Sequence, residues 1–273
     1  RSTLFTLSSA LTNLGSFFST AIGGYLPGWF APLLQTGPES TLAYRVVMLL
    51  STGLLSIGIL PVLLYKRTPR QVPAQSHAAR PAGRRFSNPR LLLKLALPRL
   101  LFSFGASLIF PFLTIFFKQR FGVSDATLGW IMGITGLMAV PTMLIGGPVA
   151  DRLGKIRTMF YGRLLSTPLM LAVGLAPSLP VAVGAHWLRS GFMRLGDPLF
   201  RSFAMERLPE KERATGASLM SMSKEVGSAI APLLSGLIQV RFGFTPLFWA
   251  TTAVYTLSLL ALYLFFLRPA RAR

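Results

Sequence analysis

The sequence predicts an all-α membrane protein with about eight transmembrane helices. Hydrophobic residues make up 52% of the 273 positions, and the mean hydropathy is +0.55. Only 13% of the residues are charged, whereas a soluble domain carries roughly a quarter. The apolar residues fall into long runs, and a helix that crosses a bilayer needs about 20 such residues.

Eight segments reach that length between charged residues, prolines and glycines. They lie near residues 3–32, 42–65, 92–117, 126–150, 158–177, 180–204, 214–240 and 244–267. Prolines within them, such as Pro98 and Pro198, are tolerated in packed membrane bundles because neighbouring groups satisfy the freed backbone.

The basic residues indicate an orientation. Lys and Arg number 28 against 8 Asp and Glu, a net charge of +20. In a soluble protein this excess would favour nucleic-acid binding, but here most basic residues occupy the gaps between apolar runs. When the basic residues are assigned to alternate sides of the membrane, twenty of them fall on one side, and Arg163 is counted there. Three fall on the other side: Lys118, Arg120 and Arg241. The positive-inside rule therefore puts both ends of the chain in the cytoplasm. We expect the protein in the plasma membrane and expect no nucleic-acid partner.

The sequence lacks the residues that several functional classes need. The chain has no cysteine, so disulfides and thiolate metal sites are excluded, and its two histidines are His77 and His186. We therefore expect no metal, no cofactor and no membrane-embedded enzyme, which would need a nucleophile, base or metal set. The sequence starts at Arg1, directly before an apolar helix, and we expect it to continue upstream.

An internal repeat relates the first and seventh spans. Arg1, Thr3, Leu7, Gly15, Ser16 and Gly24 recur as identical residues 212 positions later, from Arg213 to Gly236. Both copies start from the same side, so the repeat is parallel with a period of six helices, as in transporters built from two six-helix halves.

The segment 147–157 supplies a family resemblance. It reads Gly147-Pro-Val-Ala-Asp151-Arg152-Leu-Gly154-Lys155-Ile-Arg157 and resembles the cytoplasmic loop signature of the major facilitator superfamily, Gly-x-x-x-Asp-Arg-x-Gly-Arg/Lys. The resemblance implies helices five to twelve of a 6+6 fold. Residues 1–65 would close the N-terminal bundle, 66–91 would form a basic cytoplasmic linker, and 92–273 would form the C-terminal bundle.

This loop also has a physical interpretation. Gly147 and Gly154 would allow a close approach or a positive φ at a tight turn. Asp151 would face the positive N-terminus of the first span and pair with Arg1. The alternative is a purely topological basic turn, and the two are compatible. The gating candidates are Gly147, Asp151, Arg152, Gly154, Lys155, Arg157 and Arg1.

Charges inside the spans predict a solute or ion path, because such groups are costly in lipid. On a helical wheel of the sixth span, five polar residues share one face: His186, Arg189, Arg194, Asp197 and Arg201. In the seventh span, Lys224 and Glu225 lie at the depth of Arg194. We expect two buried pairs near the midplane, while Arg99 is interpreted as structural. The path candidates are Asn13, His186, Arg189, Arg194, Asp197, Lys224 and Glu225.

The leading hypothesis is an alternating-access secondary transporter of a small organic solute, acting as a monomer in the lipid bilayer. Proton coupling would use Asp197 or Glu225 as the titrating carboxylate. One alternative is a drug or metabolite efflux antiporter. Gly15, Gly24 and Gly28 fit the glycines of the family's antiporter signature, but Trp29 replaces its proline. A further alternative is a non-transporting membrane sensor. Substrate, direction and coupling ion are not specified by the sequence.

Overall fold

A computed structural model describes residues 2–37, 40–59 and 88–268, and within these ranges helix is the regular secondary structure. The helices are α1 (Ser2–Leu33), α2 (Thr41–Ile57), α3 (Pro89–Ile109), α4 (Leu113–Phe121), α5 (Asp125–Leu137), α6 (Ala139–Leu153), α7 (Lys155–Gly174), α8 (Leu179–Arg194), α9 (Gly196–Arg207), α10 (Arg213–Phe242) and α11 (Thr245–Leu262). Short 3-10 turns occupy Phe110–Phe112 and Glu210–Glu212, and a π-helical turn, Tyr263–Leu267, continues α11.

Within the described residues, each predicted span coincides with one helix or with two helices in series, and the predicted fold class is confirmed. By length and hydropathy alone, two described helices qualify as membrane spans, Pro89–Phe121 and Thr245–Leu267. The pair from Asp125 to Leu153, bent by 43°, adds a third. Arg1, His77 and the predicted linker up to residue 87 lie outside the described residues.

The first helix after the predicted linker starts slightly earlier than the predicted span near 92–117. Helix α3 begins at Pro89, because the Asn88 side chain caps it by accepting a hydrogen bond from the backbone N–H of Leu91. Proline is favoured in this first turn, where its missing N–H would have no partner within the helix.

Proline also explains why the sixth span is two helices. Helix α8 ends at Arg194, α9 begins at Gly196, and Pro198 follows in the first turn of α9. Proline has no N–H to donate to the carbonyl four residues earlier, which here is that of Arg194. The single helical wheel drawn for residues 180–204 therefore does not hold across Leu195.

Two apolar cores lie at opposite ends of the helices from α3 onward. One contains Leu92, Leu95, Met159, Phe200, Phe203, Ala204, Leu208, Met220 and Leu262. The other contains Ile109, Leu113, Phe116, Phe117, Leu128, Ile131, Met170, Val173, Ala176, Ala182, Val183, Leu247 and Phe248. Helices α3, α7 and α11 each contribute to both cores, so the residues between these contributions form a middle layer of the bundle.

Helix α1 packs mainly on α5, at a crossing with room only for glycine. A Cβ placed on Gly24 would lie 3.1 Å from the Cα of Gly129 and closer still to the carbonyl of Asp125. A Cβ on Gly129 would lie 2.8 Å from the carbonyl oxygen of Thr20. Small residues of this kind let helix backbones approach closely in membranes.

Candidate functional site

Four charged side chains lie in the middle layer, between the two apolar cores. They are Arg99 of α3, Arg163 of α7, Arg189 of α8 and Asp197 of α9, and we call them the arginine cluster. The three arginines lie eight to ten residues from the starts of their helices, about 12–15 Å along the axis. That is close to half of the roughly 30 Å hydrocarbon thickness of a bilayer.

Arg163 is buried in the bundle, with 2% of its surface exposed. Its guanidinium carbon lies 3.7 Å from the centroid of the Phe102 ring, a close cation–π contact. Its Nη2 lies 3.7 Å from Oδ1 of Asp197. The face of the Phe102 ring and the Asp197 carboxylate therefore both stabilise the Arg163 cation.

Asp197 is shared between two arginines. Its Oδ2 lies 3.6 Å from Nη2 of Arg99, whose guanidinium also stands 5.8 Å from the Phe200 ring centroid. Both ion-pair distances exceed the 2.7–3.2 Å of a hydrogen bond, so the carboxylate neutralises charge without saturating either guanidinium. The Asp197 side chain is 56% exposed, whereas those of Arg99 and Arg163 are 15% and 3% exposed.

Arg189 joins the cluster through aromatic rings. Its Nη2 donates a hydrogen bond of 3.2 Å to the hydroxyl of Tyr255, and its guanidinium lies 4.7 Å from the Phe110 ring centroid. The Tyr255 ring stacks on Phe102 at 4.9 Å. The same Phe102 ring lies beneath Arg163, so a pair of stacked rings connects the two most deeply buried arginines.

Several polar atoms of this layer have no hydrogen-bond partner among the described residues. They are the Nε atoms of Arg99, Arg163 and Arg189 and the Nε2 of His186, all buried. His186 lies one turn before Arg189 and meets the Phe117 ring at 6.0 Å, edge to face. Buried polar groups are normally satisfied, so such a concentration of unsatisfied donors is typical of a functional region.

The predicted pairing of Arg194, Asp197, Lys224 and Glu225 was wrong. Lys224 and Glu225 are neighbours on α10 that contact each other at 3.9 Å, with side chains 48% and 71% exposed. Arg194 is exposed at the end of α8, directly before the break at Leu195. Asp197 pairs instead with α3 and α7. Asn13 of α1 is half-buried.

Sequence reasoning missed Arg163 and underrated Arg99. The charge count places Arg163 with the cytoplasmic charges although it lies inside the predicted span 158–177, and helix α7 begins still earlier, at Lys155. A signal was present, because an arginine eight residues into a helix that carries no further charge up to Gly174 is too deep to snorkel easily. Tyr255, ten residues into α11, was not singled out.

The loop motif between α6 and α7 is a one-residue turn. Gly154 has φ +85°, as expected, a conformation that L side chains rarely adopt. The expectation for Gly147 was wrong, because it is helical and a Cβ there would meet nothing within 4 Å among the described residues. Lys155 pairs with Glu206 of α9 and donates to Ser202 at 2.9 Å. Asp151, Arg152 and Arg157 are exposed.

A second polar contact lies where α4 meets α5. Lys118 lies 2.5 Å from Asp125, and Tyr44 of α2 contacts both side chains. Trp130 of α5 also donates a hydrogen bond of 2.8 Å to the Tyr25 hydroxyl of α1. These contacts join α1 and α2 to the helices that follow residue 88. No group of three or more metal-ligating residues is present in the described ranges.

Comparison of the sequence with characterised proteins finds a resistance protein and a transporter. The lincomycin resistance protein of Streptomyces lincolnensis is 29% identical over 196 residues, which cover 70% of this chain and 39% of the relative. The 3-(3-hydroxy-phenyl)propionate transporter of Escherichia coli (strain K12) is 29% identical over 133 residues, covering 48% of this chain and 32% of the relative. The chain therefore spans about two fifths or less of the length of these relatives.

Solved structures share the fold. The human organic anion transporter MFSD10 (TETRAN) matches with a TM-score of 0.59 at 21% identity, covering 66% of this chain and 42% of that one. A bacterial homologue of the iron transporter ferroportin, in an inward-facing state, matches with a TM-score of 0.56 at 16% identity, covering 66% and 45%. The family model described as Major Facilitator Superfamily matches residues 95–273, and this chain belongs to that superfamily of membrane transporters.

Proposed function

We propose that this protein is a secondary active transporter that moves a small organic solute across the cell membrane by alternating access. The observation that carries the proposal is the arginine cluster, halfway along the helices between two apolar cores. Charged side chains in that position are expensive, and in membrane bundles they mark substrate and ion pathways. Binding sites of secondary transporters lie near the bilayer midplane.

The contacts between α1–α2 and the later helices support a moving interface. The Tyr44, Lys118 and Asp125 side chains meet at one end of this interface. The loop motif lies at the opposite end of the bundle, and α1 also contacts α6, the helix that leads into this motif. Polar contacts at each end that form and break in turn would give alternating access with the site between them. The charge distribution favours a cytoplasmic location for the loop motif.

Proton coupling is part of the proposal and rests on Asp197. Its carboxylate lies between Arg99 and Arg163, so protonation would release it from two arginine partners. Its side chain is 56% exposed, which gives a proton a route to it. Glu225 is 71% exposed and contacts only Lys224 among the ion pairs of the described residues, which makes it the weaker candidate.

Transport into liposomes tests the function. Purified protein would be reconstituted, and uptake of a panel of labelled organic acids, amines, sugars and antibiotics would be measured with and without a pH gradient. We expect saturable uptake of at least one solute, abolished by Arg163→Gln in vesicles with equal amounts of folded protein. Absence of saturable uptake across the panel, or full uptake by Arg163→Gln, would contradict the proposal.

Efflux of an apolar compound is a second candidate, favoured by a cleft between α5, α6 and α8. This cleft has a volume of about 240 Å³ and is lined by Met138, Pro141, Thr142, Ile145, Trp187, Leu188, Gly191, Phe192 and Leu195. The relative named for lincomycin resistance supports the same class. A Gly191→Leu variant would fill the cleft, and lost antibiotic efflux with normal organic-acid uptake would favour this second function.

A further inference from the structure

The arginine cluster has more positive charge than its one acidic member can neutralise. Arg99, Arg163 and Arg189 supply three permanent cations against the single carboxylate of Asp197. Aromatic rings partly compensate, through Phe102 under Arg163 and Phe110 near Arg189. A cation–π contact provides no hydrogen-bond acceptor lone pair, so the guanidinium donors stay available.

The available donors match an oxyanion. The Nε of each of the three arginines is buried without a hydrogen-bond partner in the described part of the chain. A guanidinium offers its N–H groups in a planar fork that fits a carboxylate with two parallel hydrogen bonds. An entering anion would therefore both balance the excess charge and satisfy donors that the protein leaves open.

The cluster already holds a carboxylate, which indicates the class of the ligand. Asp197 stands between Arg99 and Arg163 at 3.6 and 3.7 Å, distances that leave its hydrogen bonds incomplete. It lies in the first turn of α9, next to the break at Leu195, and its side chain is 56% exposed. A group held so loosely beside a helix break can be displaced by a better-placed carboxylate.

We propose that the transported solute is an organic anion whose carboxylate binds Arg99 and Arg163 and displaces Asp197 from them. This inference rests on the proposed transport function and specifies its substrate class. Asp197 acts as an internal counter-ion that occupies the site between transport cycles. Arg189, held by Tyr255, contributes the remaining positive charge of the site.

Binding of matched anionic and neutral probes tests the substrate class. Purified protein would be titrated with benzoate, succinate and inorganic phosphate, and with benzamide as the uncharged counterpart of benzoate, following tryptophan fluorescence and thermal unfolding. We expect a carboxylate probe to bind at least about tenfold more tightly than its amide, the contribution of one hydrogen bond to a charged group. Equal binding of benzoate and benzamide, no binding by either carboxylate, or stabilisation by phosphate alone would overturn the proposal.

Two variants separate displacement of Asp197 from simple attraction. Asp197→Asn removes the competing carboxylate, so carboxylate affinity should rise about tenfold, whereas Arg163→Gln should lower it by about tenfold or more. Arg99→Gln provides a second test if Arg163→Gln does not fold, and it should weaken binding in the same direction. Weaker carboxylate binding by Asp197→Asn would contradict the displacement.

Flux through the same preparations distinguishes this inference from the proposed function. Saturable uptake of a neutral or cationic solute, with no carboxylate binding, would overturn the anionic substrate class and leave the transporter in place. Carboxylate binding that follows the variants as expected, in vesicles that transport nothing, would support the binding site and overturn the transport function.

Discussion

Tyr44 of α2 donates a hydrogen bond of 2.5 Å to the Asp125 carboxylate at the start of α5. Lys118 completes the contact, lying 2.5 Å from Asp125 and donating to the Tyr44 hydroxyl at 3.0 Å. The three side chains connect helices on either side of the predicted linker. Under alternating access, a contact between these two groups of helices would close one side of the protein.

Asp125→Asn should open that side more often. The substitution removes the charge that pairs with Lys118, and pairs this exposed contribute up to about 1 kcal/mol. We therefore expect up to about fivefold faster labelling of Gly28→Cys, beside the Gly24–Asp125 cleft, by an impermeant maleimide. Arg120→Gln, an exposed change on α4, is the control. An unchanged labelling rate in Asp125→Asn would argue against a closing contact.

Gly24→Ala should destabilise the crossing of α1 and α5. The added Cβ would overlap the Asp125 backbone carbonyl, which cannot move as a flexible side chain could. Overpacking of this kind costs about 1–3 kcal/mol, which should lower the midpoint of thermal unfolding in detergent. Gly28→Ala on the same helix is the control, because its Cβ meets nothing within 4 Å among the described residues. Equal midpoints for the two variants would show that the crossing is not tight.

The charge distribution predicts which residues face each compartment. We expect Ala79 and Gly154 in the cytoplasm, and Glu39 and Phe242 outside, because the basic residues collect on the first side. Ala79 and Glu39 lie outside the described residues. The chain contains no cysteine, so single-cysteine variants can be labelled in intact cells without background. Labelling of Ala79→Cys by an impermeant reagent added outside would reverse the topology.

Asp151→Asn should impair transport without preventing insertion. Asp151 is exposed at the end of α6, which contacts α1, and a carboxylate there can stabilise the N-terminus of a neighbouring helix. That contribution is about 0.3–1 kcal/mol, enough to shift a balance between two conformations by up to fivefold. Uptake of the transported solute at equal protein levels is the measurement. Arg157→Gln on the same turn is the control, and unchanged uptake by Asp151→Asn would refute the gating role.

The sequence predicted the helices well because their signal is local. Within the described residues, apolar length alone located the helices of each predicted span, including the pair that Pro198 divides. Span edges were less accurate, since helix α7 extends three residues beyond the apolar run and starts at Lys155. Arg163 already lies inside the predicted span 158–177, and the longer helix places it three residues deeper.

The partners in the site could not be predicted for a different reason. Asp197 meets Arg99 and Arg163 because α3, α7 and α9 pack around one interior, which no single-helix pattern encodes. The wheel of the sixth span correctly grouped His186 and Arg189 but then failed at Leu195. The repeat likewise did not predict packing. Gly24 makes the tight crossing in α1, whereas in α10 it is Gly227, the equivalent of Gly15, that contacts α3.

Arg163→Met should make the protein more stable and less active. The Arg163 side chain is buried with an unsatisfied Nε, and its ion pair is long. Replacing both members of a buried ion pair by apolar residues of similar volume is often neutral or stabilising by about 1–4 kcal/mol, and removing one member is destabilising when its partner is left as an unpaired buried charge. Asp197 would not be stranded, because it keeps Arg99 and is 56% exposed.

Thermal unfolding of Arg163→Met distinguishes a functional arginine from a structural one. If Arg163 serves a solute, the unfolding midpoint should stay equal or rise while saturable uptake is lost, since function is retained at the expense of stability. If Arg163 mainly holds the helices together, its loss should cost about 3–5 kcal/mol and lower the midpoint. Lys155→Met is the matched control, because it breaks a partly exposed pair with Glu206 and should lower stability by no more than about 1 kcal/mol. A midpoint far below that of Lys155→Met would assign Arg163 to the structure of the bundle and remove the main support for a binding site there.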